Sequence, residues 1–204
     1  KLLKALIVGK PNVGKSTLLN SLVGEKVSIV SRKAQTTQKN TTGVITKDDS
    51  QLIFFDTPGL NKIEKNIRIS ETFKTAAENV DVLIYMVDNT KKSQSIDDEF
   101  IKWLSNNESK FRKKFLIINK IDCIEKVKLF EITKKINYVI NFDETFFISL
   151  SKKSGMERFL NCVEKQAYSN EWLFQQTYKT NLSKKNFLSE LTREKVFEYI
   201  HEEI

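Results

Sequence analysis

Leu2-Leu3-Lys4-Ala5-Leu6-Ile7-Val8 runs without a break into Gly9-Lys10-Pro11-Asn12-Val13-Gly14-Lys15-Ser16-Thr17, and that junction decides the fold. A near-continuous apolar run of this length, broken only by Lys4, is a strand buried on both faces. The residues after it fit G-x-x-x-x-G-K-[ST]. Leu18, Leu19, Leu22 and Val23 then continue as a helix that Gly24 ends as a left-handed cap. Strand, glycine loop and helix in that order form a phosphate cradle. The glycines let backbone N–H groups turn inward around phosphate oxygens, and the helix N-terminus adds its dipole. Lys15 is placed to pair with β- and γ-phosphates, and Ser16 to ligate Mg²⁺. This motif specifies a nucleoside triphosphate but not its base.

Outward from the junction, short apolar runs at 43–46, 52–55, 82–87, 115–118 and 145–148 alternate with amphipathic stretches. Ile96, Phe100, Trp103 and Leu104 mark one helix, opened by Ser95 and Asp98 in capping-box spacing. The alternation predicts an α/β fold with a six-stranded, mostly parallel sheet and helices on both faces. The turn Asp48-Asp49-Ser50 is too short for a crossover, so the strands around it form one antiparallel edge hairpin. Residues 1–168 make up this domain, and 169–187, which have no clean period, read as a linker. A helix resumes at about Ser189 with Leu188, Leu191, Val196, Tyr199 and Ile200 on one face, so 188–204 read as the start of a further domain.

Three more loops carry chemistry at the expected strand ends. Asp56-Thr57-Pro58-Gly59-Leu60 follows the run at 52–55. Asp56 can hold Mg²⁺ directly or through water, and the Gly59 N–H can sense a γ-phosphate. Asn119-Lys120-Ile121-Asp122 decides the base: a carboxylate at Asp122 accepts from N1–H and the 2-amino group of guanine. Adenine offers neither donor there. Asn119 and Lys120 brace that loop and cover the base, with Ile121 between them and Asp122. Ser149-Leu150-Ser151 ends the last strand, where its backbone can touch the guanine oxygen. Between the first helix and the hairpin, the polar stretch Ser31-Arg32-Lys33-Ala34-Gln35-Thr36-Thr37-Gln38 is a candidate switch, with Thr37 as the Mg²⁺-ligating hydroxyl and Thr36 as the alternative. Lys15, Thr37 and Gly59 are the groups expected to act on the γ-phosphate. Both prolines, Pro11 and Pro58, and four of the six glycines (Gly9, Gly14, Gly59 and Gly155) fall in or beside these loops.

Composition narrows the alternatives. With 40% hydrophobic and 29% charged residues among 204, the chain is a folded globular one with room for a substantial core. No apolar run approaches the roughly 20 residues of a membrane span, and no signal-peptide pattern precedes the first strand. The start, without Met and almost inside a strand, reads as trimmed or processed. Cys123 and Cys162 are far apart and in no ligand spacing, so they are expected to be reduced. The lone His201 reads as a surface residue. The net charge of +8 lies wholly in the first 168 residues, because 169–204 hold five Lys/Arg against six Asp/Glu. It is carried by scattered lysines and reads as a solvated surface more than an RNA groove.

Four stretches together resemble the Era family of bacterial ribosome-assembly GTPases. They are Gly9 to Ser16, the switch Ser31-Arg32-Lys33-Ala34-Gln35-Thr36-Thr37, the segment from Asp56 to Leu60, and Ser189-Glu190-Leu191-Thr192-Arg193-Glu194-Lys195. The resemblance implies a Ras-like GTPase domain that binds GTP or GDP with Mg²⁺, followed by a KH domain. It further implies 16S ribosomal RNA and the 30S subunit as partners through that KH domain. A monomer in the cytoplasm, peripheral at the inner membrane, is also implied, as is K⁺ held near the phosphates by Asn12. The sequence departs from the family in three places. No two glycines are three residues apart, so the Gly-x-x-Gly clamp of a KH domain is absent and only a first KH helix, 189–203, is expected. Gln175-Gln176-Thr177-Tyr178 replaces an acidic linker stretch, and Leu150 stands where the family has Ala. Leu60 stands where Ras-type enzymes carry a water-orienting Gln, which implies slow intrinsic hydrolysis. Three other readings stay open: a related GTPase acting in tRNA modification, a nucleotide-sensing module with negligible turnover, and, more remotely, a P-loop ATPase or kinase.

Overall fold

The protein is described by a computed structural model covering residues 1–28, 41–56, 71–88 and 98–199. The apolar runs become six strands: β1 (Leu2–Val8), β2 (Thr41–Lys47), β3 (Ser50–Asp56), β4 (Val82–Asp88), β5 (Lys113–Asn119) and β6 (Glu144–Phe147). They form one sheet in the order β2-β3-β1-β4-β5-β6. All neighbours are parallel except β2 and β3, which are joined through Asp48 and Asp49 as an antiparallel hairpin. Asp48 takes φ 52, a left-handed position that Asp tolerates in a tight turn. The predicted sheet and its one antiparallel edge are thus observed.

Helices α1 (Lys15–Val23) and α5 (Met156–Glu164) cover one face, through Leu18, Leu19, Leu22, Phe159 and Val163 against Leu3, Ala5, Ile7 and Phe54. Helices α2 (Glu71–Ala77), α3 (Asp98–Ser105) and α4 (Lys126–Val139) cover the other, through Phe73, Phe100, Leu104, Ile132 and Ile136 against Leu6, Val8, Leu83 and Tyr85. Aromatic rings lock both layers: Tyr85 stacks on Phe100 with centroids 5.0 Å apart, and Phe146 meets Phe159 edge-on at 5.2 Å. Gly24 caps α1 at φ 78, as its sequence position predicts. Ser95, half of the capping box read before α3, lies outside the described residues. From β1 the chain moves out to β2 and returns through β3 on one side, then crosses to β4 on the other, so the strand order reverses at β1. The carboxyl ends of β1, β3, β4, β5 and β6 therefore share one edge, where an open α/β sheet binds its ligand.

The segment after Tyr168 lies across the sheet. Leu2 and Tyr168 exchange two backbone hydrogen bonds, of 2.9 and 3.2 Å. Gln51, fully buried on β3, accepts from the N–H groups of Leu173 (2.9 Å) and Phe174 (3.1 Å) through Oε1. Its Nε2 donates to the Phe174 carbonyl (2.9 Å) and to Thr46 Oγ1 (3.1 Å). Phe174 and Tyr178 stack 4.4 Å apart over Leu2, Val44 and Ile53. The segment then follows the open side of β2: the Val44 N–H donates to the Lys179 carbonyl at 2.8 Å, Gly43 bridges Thr180, and the Thr42 N–H donates to Asn181 Oδ1 at 3.0 Å.

Helix α6 (Lys184–Tyr199) begins five residues before the expected start at Ser189. The Ser183 hydroxyl accepts from the Asn186 N–H at 3.2 Å, as an N-cap does, and the polar first turn carries no apolar period to reveal it. Leu188, Val196 and Tyr199 on this helix are exposed. Among the described residues, no helix is long and apolar enough to cross a membrane, and no trio of His, Cys, Asp and Glu is grouped to hold a metal.

Candidate nucleotide site

The loop after β1 is shaped by close approach. A Cβ on Gly9 would stand 2.2 Å from the Met86 carbonyl oxygen, and one on Gly14 (φ 109) 2.5 Å from Asn119 Nδ2. Asn12 between them is also left-handed, at φ 65. Lys15 opens α1 with its side chain turned back into the loop, where Nζ donates to the carbonyls of Gly9 and Lys10, both at 2.9 Å. Burial pulls its pKa from 10.5 down to about 8, against the opposing pull of Asp56. A cation held dry in this way gains most from a polyanion brought into the loop. Lys10, Pro11 and Thr17 are half-buried, Val13 is buried and Asn12 is exposed.

Asp56 ends β3 fully buried. Its Oδ2 accepts from Ser16 Oγ at 2.7 Å and from Ser28 Oγ at 3.4 Å. Its Oδ1 has no hydrogen-bond partner among the described residues. Burial raises the pKa, while Lys15 and the two hydroxyls oppose it. An orphaned buried carboxylate oxygen next to a serine hydroxyl is a donor set that fits Mg²⁺, a hard cation taking oxygen ligands. Ser28, which the sequence reading missed, is fixed by Asn20. Asn20 Oδ1 accepts from the Val27 and Ser28 N–H groups at 2.9 and 2.8 Å, and its Nδ2 donates to the Ser28 carbonyl at 2.8 Å. Thr36, Thr37, Thr57, Pro58, Gly59 and Leu60 lie outside the described residues.

The base loop is tied to the phosphate loop by two side chains. Asn119 Nδ2 donates to the Val13 carbonyl at 2.9 Å, and its Oδ1 accepts from the Leu150 N–H at 3.4 Å. Lys120, left-handed at φ 60, sends Nζ to the Asn12 carbonyl at 2.9 Å and to the carboxylate of Asp88. Asp122 is exposed, with both oxygens engaged: Oδ1 accepts from Ser149 Oγ at 2.5 Å and Oδ2 from Ser151 Oγ at 3.2 Å. The Ser149 hydroxyl holds its carboxyl below the usual carboxylate range, despite opposing desolvation. The serines were read for their backbone; the structure adds a hydroxyl role that fixes the acceptor. Leu150 and Ile121 are half-buried, packed against the two core layers. Gly155 (φ 80) is required by the return of this loop, since a Cβ there would meet the Phe147 carbonyl oxygen at 2.4 Å.

The family described as 50S ribosome-binding GTPase matches residues 4–120. The chain is 35% identical over 201 residues to GTPase Era of Trichlorobacter lovleyi, an alignment covering 97% of this chain and 66% of that protein. It spans 64% of GTPase Era of Sinorhizobium medicae at 31% identity, so it covers just under two thirds of the length of these relatives. A crystal structure of Aquifex aeolicus Era bound to GDP and AlF4⁻ superposes with a TM-score of 0.84 at 34% identity, covering 96% of this chain and 66% of that one. A structure of Era with MgGDPNP and nucleotides 1506–1542 of 16S ribosomal RNA gives 0.80 at 33% identity, with the same coverage.

Proposed function

The chain belongs to the GTPase family described as 50S ribosome-binding, and within it to the Era GTPases, and on that premise we propose a GTP-binding, GTP-hydrolysing switch that, in the intact protein, binds 16S ribosomal RNA and assists 30S subunit assembly. The observation that carries the guanine reading is Asp122, whose two oxygens are fixed by Ser149 and Ser151 at the strand edge that also holds the phosphate loop. A carboxylate so aimed accepts two N–H donors that guanine has and adenine lacks.

Lys15 and the N–H groups from Gly9 to Ser16 bind the phosphates, and the loop's fixed shape orients the terminal phosphoryl group. Ser16, Asp56 and, by family resemblance, Thr37 would hold Mg²⁺, which supplies charge neutralisation along the phosphates when bound. Gly59 would sense the γ-phosphate through its N–H. Leu60 carries no group to orient water, which supports slow turnover in the isolated chain. K⁺ beside Asn12 and an RNA-binding KH domain beginning in α6 extend the same reading by resemblance. The exposed Leu188, Val196 and Tyr199 of α6 supply the apolar face such a domain would cover.

The deciding experiment is single-turnover hydrolysis of GTP and ATP by this chain with Mg²⁺, in Na⁺ and in K⁺. It is repeated on the full-length protein with and without a 16S 3′-end RNA. GTP hydrolysis that is slow here and accelerated by RNA only in the full-length protein is expected. Preference for ATP would overturn the base assignment, and indifference to RNA would overturn the ribosomal one.

A further inference from the structure

One acid at the nucleotide edge is used by none of the motifs. Asp88 ends β4 directly beside Asn119, its register partner on β5. Its side chain is 14% exposed, and it is ion-paired with Lys120, whose own side chain is 37% exposed. The same ammonium donates to the carbonyl of Asn12 at the tip of the phosphate loop. Asn12 and Lys120 both sit in the left-handed region, which Asn enters readily but a lysine seldom occupies unless its surroundings hold it.

A lysine side chain has about 2 kcal/mol of rotamer entropy to lose when fixed. If Lys120 roofs the base, that cost falls on nucleotide binding unless the side chain is already held. A carbonyl alone is a weak anchor for an ammonium that can turn to water. A carboxylate beside it forms the stronger, charge-assisted bond. Asp88 also reaches this position from a different strand, so it ties β4, the base loop and the phosphate loop at one atom. Asn119 makes a second tie between the two loops through Val13 and Leu150, but it does not touch Lys120's ammonium.

We propose that Asp88 is a positioning residue for guanine-nucleotide retention, acting through Lys120 to pre-set the base roof and the Asn12 end of the phosphate loop. The proposal rests on the guanine-site reading above. It assigns Asp88 no part in the chemical step, because Lys15, Ser16 and Asp56 are held by other partners.

The test is stopped-flow release of a fluorescent mant-GDP from the chain with Mg²⁺, alongside single-turnover hydrolysis at saturating GTP and thermal midpoints without nucleotide. Asp88→Asn keeps the shape and removes the charge. It is expected to speed release by about tenfold to a hundredfold, the loss typical of a hydrogen bond to a charged group. The hydrolysis step should change by less than about twofold, because only binding is touched. Asp88→Glu should recover part of the retention. Asp88→Asn combined with Lys120→Met should release no faster than Lys120→Met alone, because the two residues act as one unit. Release unchanged in Asp88→Asn, additive effects in the double variant, or parallel losses in retention, hydrolysis and thermal midpoint would each overturn the assignment. Equal retention of mant-ATP and mant-GDP by the unsubstituted chain would instead remove the guanine reading, and the assignment with it.

Discussion

The two ends of the chain's contact with the sheet are built on opposite plans. At the carboxyl edge, the ends of five strands share one side of the sheet and side chains reach across to backbone carbonyls: Lys15 to Gly9 and Lys10, Asn119 to Val13, Lys120 to Asn12. At the β2 edge, residues 168–181 lie down as an added strap, held by backbone pairs, three bonds of Gln51 and one aromatic stack. In the first region, particular residue types are imposed by the ligand chemistry. In the second, nearly any sequence could supply the N–H and C=O groups, and specificity falls on Gln51, Phe174 and Tyr178. Function writes itself into side chains, whereas docking can be written mostly in the main chain.

The widest separation between the two plans is expected from Asp122→Ala. Removing the guanine acceptor should weaken GTP binding by about a thousandfold and erase most discrimination against ATP, while the thermal midpoint stays near that of the parent. Titration with labelled GTP and ATP checks both halves. A large fall in the midpoint would mean that the base loop also supports the fold.

Lys15 sharpens the contrast through pH. Its folded pKa of about 8 lies below the ordinary 10.5, so the fold favours the neutral amine. The charging penalty is fully present below about pH 8 and is lifted as pH rises toward 10.5. Over that window the chain should gain up to about 3 kcal/mol in stability relative to Lys15→Met. Denaturation of both proteins at pH 7.5 and 10 measures it, and parallel pH curves would refute it.

Gln51→Ala attacks the other region. Leaving the Leu173 and Phe174 N–H groups without their acceptor should cost about 2–3 kcal/mol and expose residues 168–181 to hydrogen exchange, with GTP affinity unchanged. A tenfold loss of GTP affinity would show that the two regions are energetically one. The smallest effect is expected at Lys179→Ala, which removes an exposed ion pair with Glu25, 3.5 Å long. It should change stability by about 0.5 kcal/mol or less.

These plans also explain what the sequence displayed. All six strands were legible because each is a short apolar run flanked by polar turns, and α1 because Gly24 punctuates it. Helix α4 left little trace: Val127, Phe130, Tyr138 and Val139 sit on its exposed side and blur the period that Ile132 and Ile136 establish. The strap was invisible as structure, since a buried glutamine 122 residues away from Leu173 leaves no local pattern. At the site, residues that would touch phosphate, metal or base could be named from their motifs. Asp88, Ser28 and Asn20 could not, because they act by holding those residues or their backbone and could be replaced by other donors or acceptors. An acid closing the strand beside the Asn119-Lys120 loop was the one available clue to Asp88.

The pairing of Lys179, Thr180 and Asn181 with β2 has a consequence for solubility. β2 is the outermost strand on its side, and a bare outermost strand is a template for pairing with another chain. The strap occupies the Thr42 and Val44 N–H groups that would face outward. Any event that peels it away opens the sheet to self-association, so the same segment that leads to α6 also serves as a guard against aggregation.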